Sequence, residues 1–179
     1  KYFIPDDQSA VIAITSTISG EAKTFVAVNL ASIISMLGKK TLLVGLDLRK
    51  PRIHRILGLH NDQGMSTFLS GNSKYDEVIQ KSSIENLWFV SAGPIPPNPA
   101  ELIERKAMDE FLEKAKKQFD YIIIDTPPAA VVTDALVLAG RADVTLFVVR
   151  QRYTSKSTLS LIDEIYRGHE IKNPGIVVN

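Results

Sequence analysis

The chain contains no cysteine. That excludes a disulfide framework and a thiolate metal site, and it fits a reducing compartment. Neither sign of charge prevails. The 21 Lys and Arg against 20 Asp and Glu leave a formal net charge of +1, which gives no bulk attraction to nucleic acid. No apolar run is long and continuous enough to span a bilayer, and no signal peptide opens the chain. No internal repeat, low-complexity tract or interdomain linker is visible. His54, His60 and His169 are scattered without metal-ligand spacing. What remains is a chain of 179 residues, which fits one domain with a sizeable core. It opens on Lys1 and stops on "GIVVN", a strand-like ending. A fragment of a longer protein, cut on both sides, is the expectation.

Short apolar runs punctuate the chain: "VIAIT" (11–15), "TLLVGL" (41–46), "LWFVS" (87–91), "YIIID" (121–125), "VTLFVV" (144–149) and "GIVV" (175–178). Near-continuous hydrophobicity is what strands buried on both faces require. Helical patterns lie between them. "KTFVAVNLASIISMLG" stops at Gly38, a good helix terminator. "NPAELIERKAMDEFLEKAKKQF" spaces Leu102, Met108, Phe111, Leu112 and Ala115 for one buried face, with a proline near its start and lysines near its end. Shorter helices are expected over 63–70, 74–81, 130–139 and 155–167. Alternation of this kind predicts an α/β fold: a mostly parallel sheet with helices on both faces and a ligand crevice beyond the carboxyl ends of the strands. Trp88 is expected in the core.

The first strand runs into "STISGEAKT" and then a helix. Strand, loop and helix make the context of a phosphate loop, whose backbone N–H groups and helix N-terminus cradle anionic oxygens. Lys23 is placed to reach the β- and γ-phosphates, and the Thr24 hydroxyl to ligate Mg²⁺. The plain reading is a βα turn with an incidental Lys-Thr. Asp125 ends the buried strand "YIIID", the Walker B arrangement, in which a terminal carboxylate holds Mg²⁺ or its water. A helix cap is the alternative, and the following Pro-Pro argues against it. Asp47 lies just past the second strand. Lys23, Asp47 and Asp125 are therefore the candidate catalytic residues, with Thr24, Asp47 and Asp125 as metal ligands. Ser19, Gly20, Glu21, Ala22, Lys23, Thr24 and Phe25 form the candidate nucleotide loop.

With these motifs the sequence resembles the kinase domain of bacterial tyrosine kinases that control capsule and exopolysaccharide synthesis, within the deviant phosphate-loop ATPases. The resemblance rests on "TSTISGEAKTFVAVNLA", "LLVGLDLRKP", "GPIPPNPAELI" and "DYIIIDTPPAAVVTDA", and covers essentially the whole chain. It implies a P-loop NTPase fold, ATP and ADP as ligands, Mg²⁺, and autophosphorylation of a tyrosine-rich tail on a neighbouring subunit. It also implies a membrane polysaccharide co-polymerase as partner, a homo-oligomer, no nucleic acid, and the cytoplasmic face of the bacterial inner membrane. Two other readings stay open: a partition- or septum-type ATPase, and a nucleotide-binding regulatory module with weak catalysis. Partition ATPases carry a signature lysine five residues before the invariant one, where this chain has Ile18. That favours the kinase branch.

The chain departs from the family pattern twice. The pattern D-x-D-x-R reads Gly45-Leu46-Asp47-Leu48-Arg49 here, so the first acid is missing, and the resemblance assigns that acid to the neighbourhood of the attacking hydroxyl. Ala22 stands where the loop pattern has glycine. If the backbone there needs φ > 0, the added Cβ strains the loop by about 1–3 kcal/mol. If it has φ < 0, as the first turn of a helix would, alanine is harmless. Arg49, Lys50, Arg52 and Arg55 form a basic run that is either a solvated helix face or a set in which Arg49 orients Asp47 or an incoming tyrosine. The family match adds Arg150 and Asn179 as candidate contacts to the base. Tyr75, Tyr121, Tyr153 and Tyr166 are too dispersed for a phosphorylated cluster, and no tyrosine-rich tail lies within the sequence.

Overall fold

A computed structural model describes residues 8–129, 134–168 and 171–179. Seven strands make one sheet: β1 (Ala10–Ser16), β2 (Thr41–Gly45), β3 (Ile79–Lys81), β4 (Leu87–Val90), β5 (Tyr121–Asp125), β6 (Val144–Val149) and β7 (Pro174–Val178). Their order is β3-β4-β2-β5-β1-β6-β7, and every pairing is parallel except β3 with β4. The central strands are buried on both faces, as their unbroken hydrophobicity requires. Val11, Ala13, Leu42, Val44, Ile122 and Ile124 turn to one core. Ile12, Ile14, Leu43 and Ile123 turn to the other.

The helices are α1 (Lys23–Met36), α2 (Ile53–Leu57), α3 (Met65–Leu69), α4 (Tyr75–Val78), α5 (Pro99–Glu104), α6 (Lys106–Lys116), α7 (Asp134–Gly140) and α8 (Lys156–Arg167). α1 and α2 cover one face. The buried Ala27 and Ala31 bring α1 close to the strands, and Ile53 anchors α2. α3, α5 and α6 cover the opposite face through Met65, Leu102, Met108 and Phe111. Around Phe147 and Val149 a third cluster gathers residues of α7 and α8. Trp88 is half-buried and meets the Phe119 ring edge-on at 5.5 Å.

Two elements differ from the sequence expectation. The long helix over 98–119 breaks at Arg105, whose ψ of 148° is extended. The apolar periodicity conceals the break because Leu102 and Met108 still reach the same core. The helix expected over 74–81 lasts one turn, and Ile79–Lys81 then pairs antiparallel with β4. Three residues are too few to show strand alternation, yet they cap an otherwise open sheet edge. Of the helix expected over 130–139, residues 130–133 lie outside the described residues, as does His169, and α7 begins at Asp134.

β1, β5 and β2 are adjacent, although 104 residues lie between the end of β1 and the start of β5. From β1 the chain runs outward to β2 and β4, then returns to place β5 in between. The carboxyl ends of these three strands lie at the reversal of strand order, where open α/β sheets form their crevice.

Candidate functional site

β1 ends at Ser16, and a loop turns into α1 at Lys23. The turn needs left-handed backbone twice, at Gly20 (φ 93°) and at Ala22 (φ 68°, ψ 25°). Glycine suits the first position, but alanine is uncommon at the second. The strained alternative for Ala22 is therefore the one the loop adopts.

The Lys23 side chain is nearly buried and lies between two carboxylates. Its Nζ donates to Asp47 Oδ2 at 3.1 Å and to Asp125 Oδ1 at 3.3 Å. The Thr24 hydroxyl donates to Asp125 Oδ2 at 3.0 Å. Asp47 Oδ1 also accepts the Lys50 backbone N–H at 3.0 Å. Asp125 is 2% exposed. Burial pushes its pKa up, outweighing the attraction of Lys23 and the Thr24 hydrogen bond, and the Asp47 charge adds to the rise. The sheet thus brings Lys23, Thr24, Asp47 and Asp125 together at the ends of three adjacent strands.

Beside this cluster is a cavity of about 350 Å³. Ser19, Gly20, Ala22, Lys23, Thr24 and Phe25 contribute to one wall, and Arg49, Lys50 and Arg52 to another. Phe25 is 62% exposed although it lies in the first turn of α1. Four cationic side chains, Lys23, Arg49, Lys50 and Arg52, and a helix N-terminus around one cavity suit a polyanionic ligand.

Three expected nucleotide residues do not line this cavity. The Glu21 side chain is fully buried. It accepts from the Thr17 hydroxyl and the Ile18 N–H, each at 2.9 Å, and from the Thr154 hydroxyl. Arg150 Nη1 donates to the Gly20 carbonyl at 3.2 Å, and its guanidinium lies 5.1 Å from the Tyr153 ring centroid. The Tyr153 hydroxyl donates to the Ser19 carbonyl at 3.1 Å. Arg150, Tyr153 and Thr154 therefore strap the loop from behind. Asn179 is exposed at the end of β7, with backbone bonds to Val149 and Gln151. Neither Arg150 nor Asn179 lines the cavity.

Arg49 does not orient Asp47. Its guanidinium pairs with Asp134 at 3.0 Å, and Asp134 is buried in the first turn of α7. The sequence reading gave Asp134 no role, although it lies within "DTPPAAVVTDA". Nothing local could have pointed to Tyr153 and Thr154, whose partners are more than a hundred residues away.

Residues 9–177 match the family described as AAA domain. The tyrosine-protein kinase YwqD of Bacillus subtilis (strain 168) is 37% identical over 174 residues, covering 97% of this chain and 73% of that protein. The tyrosine-protein kinase wzc of Salmonella typhi is 34% identical over 176 residues, covering 96% of this chain but 24% of the relative. Several of the curated relatives are of that longer kind, and this chain spans about a quarter of their length. Among solved structures, the kinase domain of Escherichia coli tyrosine kinase ETK superposes with a TM-score of 0.91 at 30% identity, over 96% of this chain and 67% of that one. The septum site-determining protein MinD from Pyrococcus horikoshii OT3, complexed with Mg-ADP, gives 0.81 at 20% identity over 96% of this chain and 70% of that one, a likeness of fold alone. Fold, site and relatives agree: the chain belongs to the bacterial tyrosine-protein kinase family of the P-loop class.

Proposed function

We propose that this domain is an ATP-dependent protein tyrosine kinase acting in capsular or exopolysaccharide biosynthesis, with a tyrosine-rich tail of a neighbouring subunit as its substrate. The observation that carries the reading is Lys23 held at the start of α1 between Asp47 and Asp125, beside a cationic cavity. The relatives' names supply the reaction, since most P-loop proteins share the site without being kinases. The domain is proposed as the cytoplasmic part of a longer, oligomeric membrane protein working with a polysaccharide co-polymerase. Among the described residues no helix is long and apolar enough to cross a membrane.

ATP would enter with its phosphates against the loop N–H groups and the N-terminus of α1. Lys23 would leave the carboxylates and follow the β- and γ-phosphates. Its departure frees Asp47 and Asp125, which with the Thr24 hydroxyl form an all-oxygen donor set. Hard oxygen donors, few in number, fit Mg²⁺, which keeps several waters. When bound, Mg²⁺ would neutralise charge on the phosphates. Arg52 would meet the transferring group or the acidic flank of a tyrosine segment, while Arg49 is held by Asp134.

The test is phosphotyrosine formation on a tyrosine-rich peptide with Mg·ATP, comparing the wild type with Lys23→Met. Transfer that disappears in the variant supports the reading. ATP hydrolysis without any phosphotyrosine would instead favour the septum-type ATPase.

A further inference from the structure

Transfer of a phosphoryl group to a hydroxyl releases a proton, and most acceptors around the cavity are already engaged. Asp47 and Asp125 hold Lys23 in the ligand-free fold and are proposed to hold Mg²⁺ once the lysine follows the phosphates; Asp134 holds Arg49, and Glu21 holds Thr17, Ile18 and Thr154. His54 on α2 is different. Its Nδ1 is buried and has no hydrogen-bond partner among the described residues. Buried polar atoms are rarely left this way, and each one calls for an explanation such as water or function.

His54 borders a niche of about 10 Å³ that it shares with Gly45, Ala92, Asp47 and Asp125. Gly45 brings no side chain to its wall of the niche. A Cβ there would sit 3.3 Å from the Ala92 nitrogen and 3.5 Å from the Val90 carbonyl oxygen, partly filling the space. Its size is about that of one water, and its walls offer polar partners. Asp47 and Arg52 line both the niche and the large cavity, so the two adjoin. Burial, then the neighbouring Arg55 charge, holds the imidazole below its usual range, which keeps a lone pair free.

We propose that His54, through one water in the Gly45 niche, accepts the proton lost by the attacking tyrosine hydroxyl. The inference rests on the kinase reading. The tyrosine Oη–Pγ bond forms as the bond from Pγ to the bridging oxygen of ADP breaks. The Oη proton passes to the water, a proton of that water passes to Nδ1, and the imidazolium releases one to solvent. The half-buried ring gives it that exit.

Four proteins test the relay: wild type, His54→Gln, Gly45→Ala and the double variant. Phosphotyrosine formation on a poly(Glu,Tyr) copolymer is followed at saturating Mg·ATP, alongside KM for ATP and thermal melting. Each single variant should lower kcat by about 10²-fold, the scale of general-base catalysis, with KM and melting unchanged. Glutamine keeps polarity but accepts no proton, and alanine at 45 displaces the water without touching His54. The double variant should be no slower than either single one, because all three cut the same path. A His54→Gln kcat within twofold of wild type, or losses that multiply in the double variant, would overturn the relay and leave the kinase reading intact. A wild type that makes no phosphotyrosine would overturn the kinase reading and the relay with it. If His54→Gln melts early, Gly45→Ala alone decides: an undiminished kcat there rejects the niche.

Discussion

At the residue scale, Ala22 and Asp125 each carry a cost in the ligand-free fold. Ala22 is already left-handed before any ligand arrives, so its strain is met on folding and is equal in free and bound states. A ligand gains nothing from a term that does not differ between them. Ala22→Gly should therefore raise stability by about 1 kcal/mol, the usual left-handed penalty less the entropy glycine adds to the unfolded chain. Mg·ADP affinity should stay within about twofold, against the tenfold that a loop squeezed only on binding would give. Melting curves and calorimetric titration of both proteins separate the cases. Asp125 is buried with its pKa raised chiefly by desolvation, so the folded state binds its proton more readily than the unfolded chain. Ligand-free stability should accordingly fall as pH rises from the ordinary carboxylate range through the raised value of Asp125. Asp125→Asn removes the buried charge and should raise the ligand-free melting temperature. The same variant should lose the Mg²⁺ dependence of ADP binding. A variant that keeps the full Mg²⁺ dependence would show that Asp125 holds no metal.

At the scale of elements, the phosphate loop is held by the segment that follows β6. Glu21 gathers Thr17, Ile18 and Thr154, while Arg150 and Tyr153 clasp the Gly20 and Ser19 carbonyls. Thr154→Val removes one bond and should cost about 1 kcal/mol. Glu21→Ala leaves several buried donors unpaired and should cost more, about 2–3 kcal/mol. Both should weaken Mg·ADP binding, and Glu21→Gln should recover part of the loss. Unchanged affinity in Glu21→Ala would show that the strap is not needed to shape the loop. These contacts also mark how far the sequence could be read. The β1 and β5 runs were legible because burial on both faces demands apolar residues throughout. Lys23, Asp47 and Asp125 were legible because Asp125 closes such a run, Asp47 follows one, and a loop and helix carrying Lys23 follow a third. What the Glu21 side chain and Arg49 hold is not legible locally, because Thr154 is 133 residues from Glu21 and Asp134 is 85 from Arg49. β3 was missed because three residues have no measurable period.

At the scale of the molecule, the strand order decides when the site comes into being. Lys23 meets Asp47 across 24 residues of sequence and Asp125 across 102. β5 pairs with both β1 and β2, so the site closes only when segments far apart in sequence have met. Closing such long loops is slow, and parallel pairing is its characteristic bottleneck. No early, partly folded species can therefore contain the site, because no short segment holds even its two carboxylates. On refolding from denaturant, recovery of Mg·ADP binding should trail the return of helical signal and coincide with the final burial of Trp88. Binding that appears together with the first helix would contradict this order. The nucleotide becomes an inspector of the finished chain: during synthesis, only molecules that have closed the β1–β5–β2 seam can be captured and stabilised by ATP, and stalled ones pass it by.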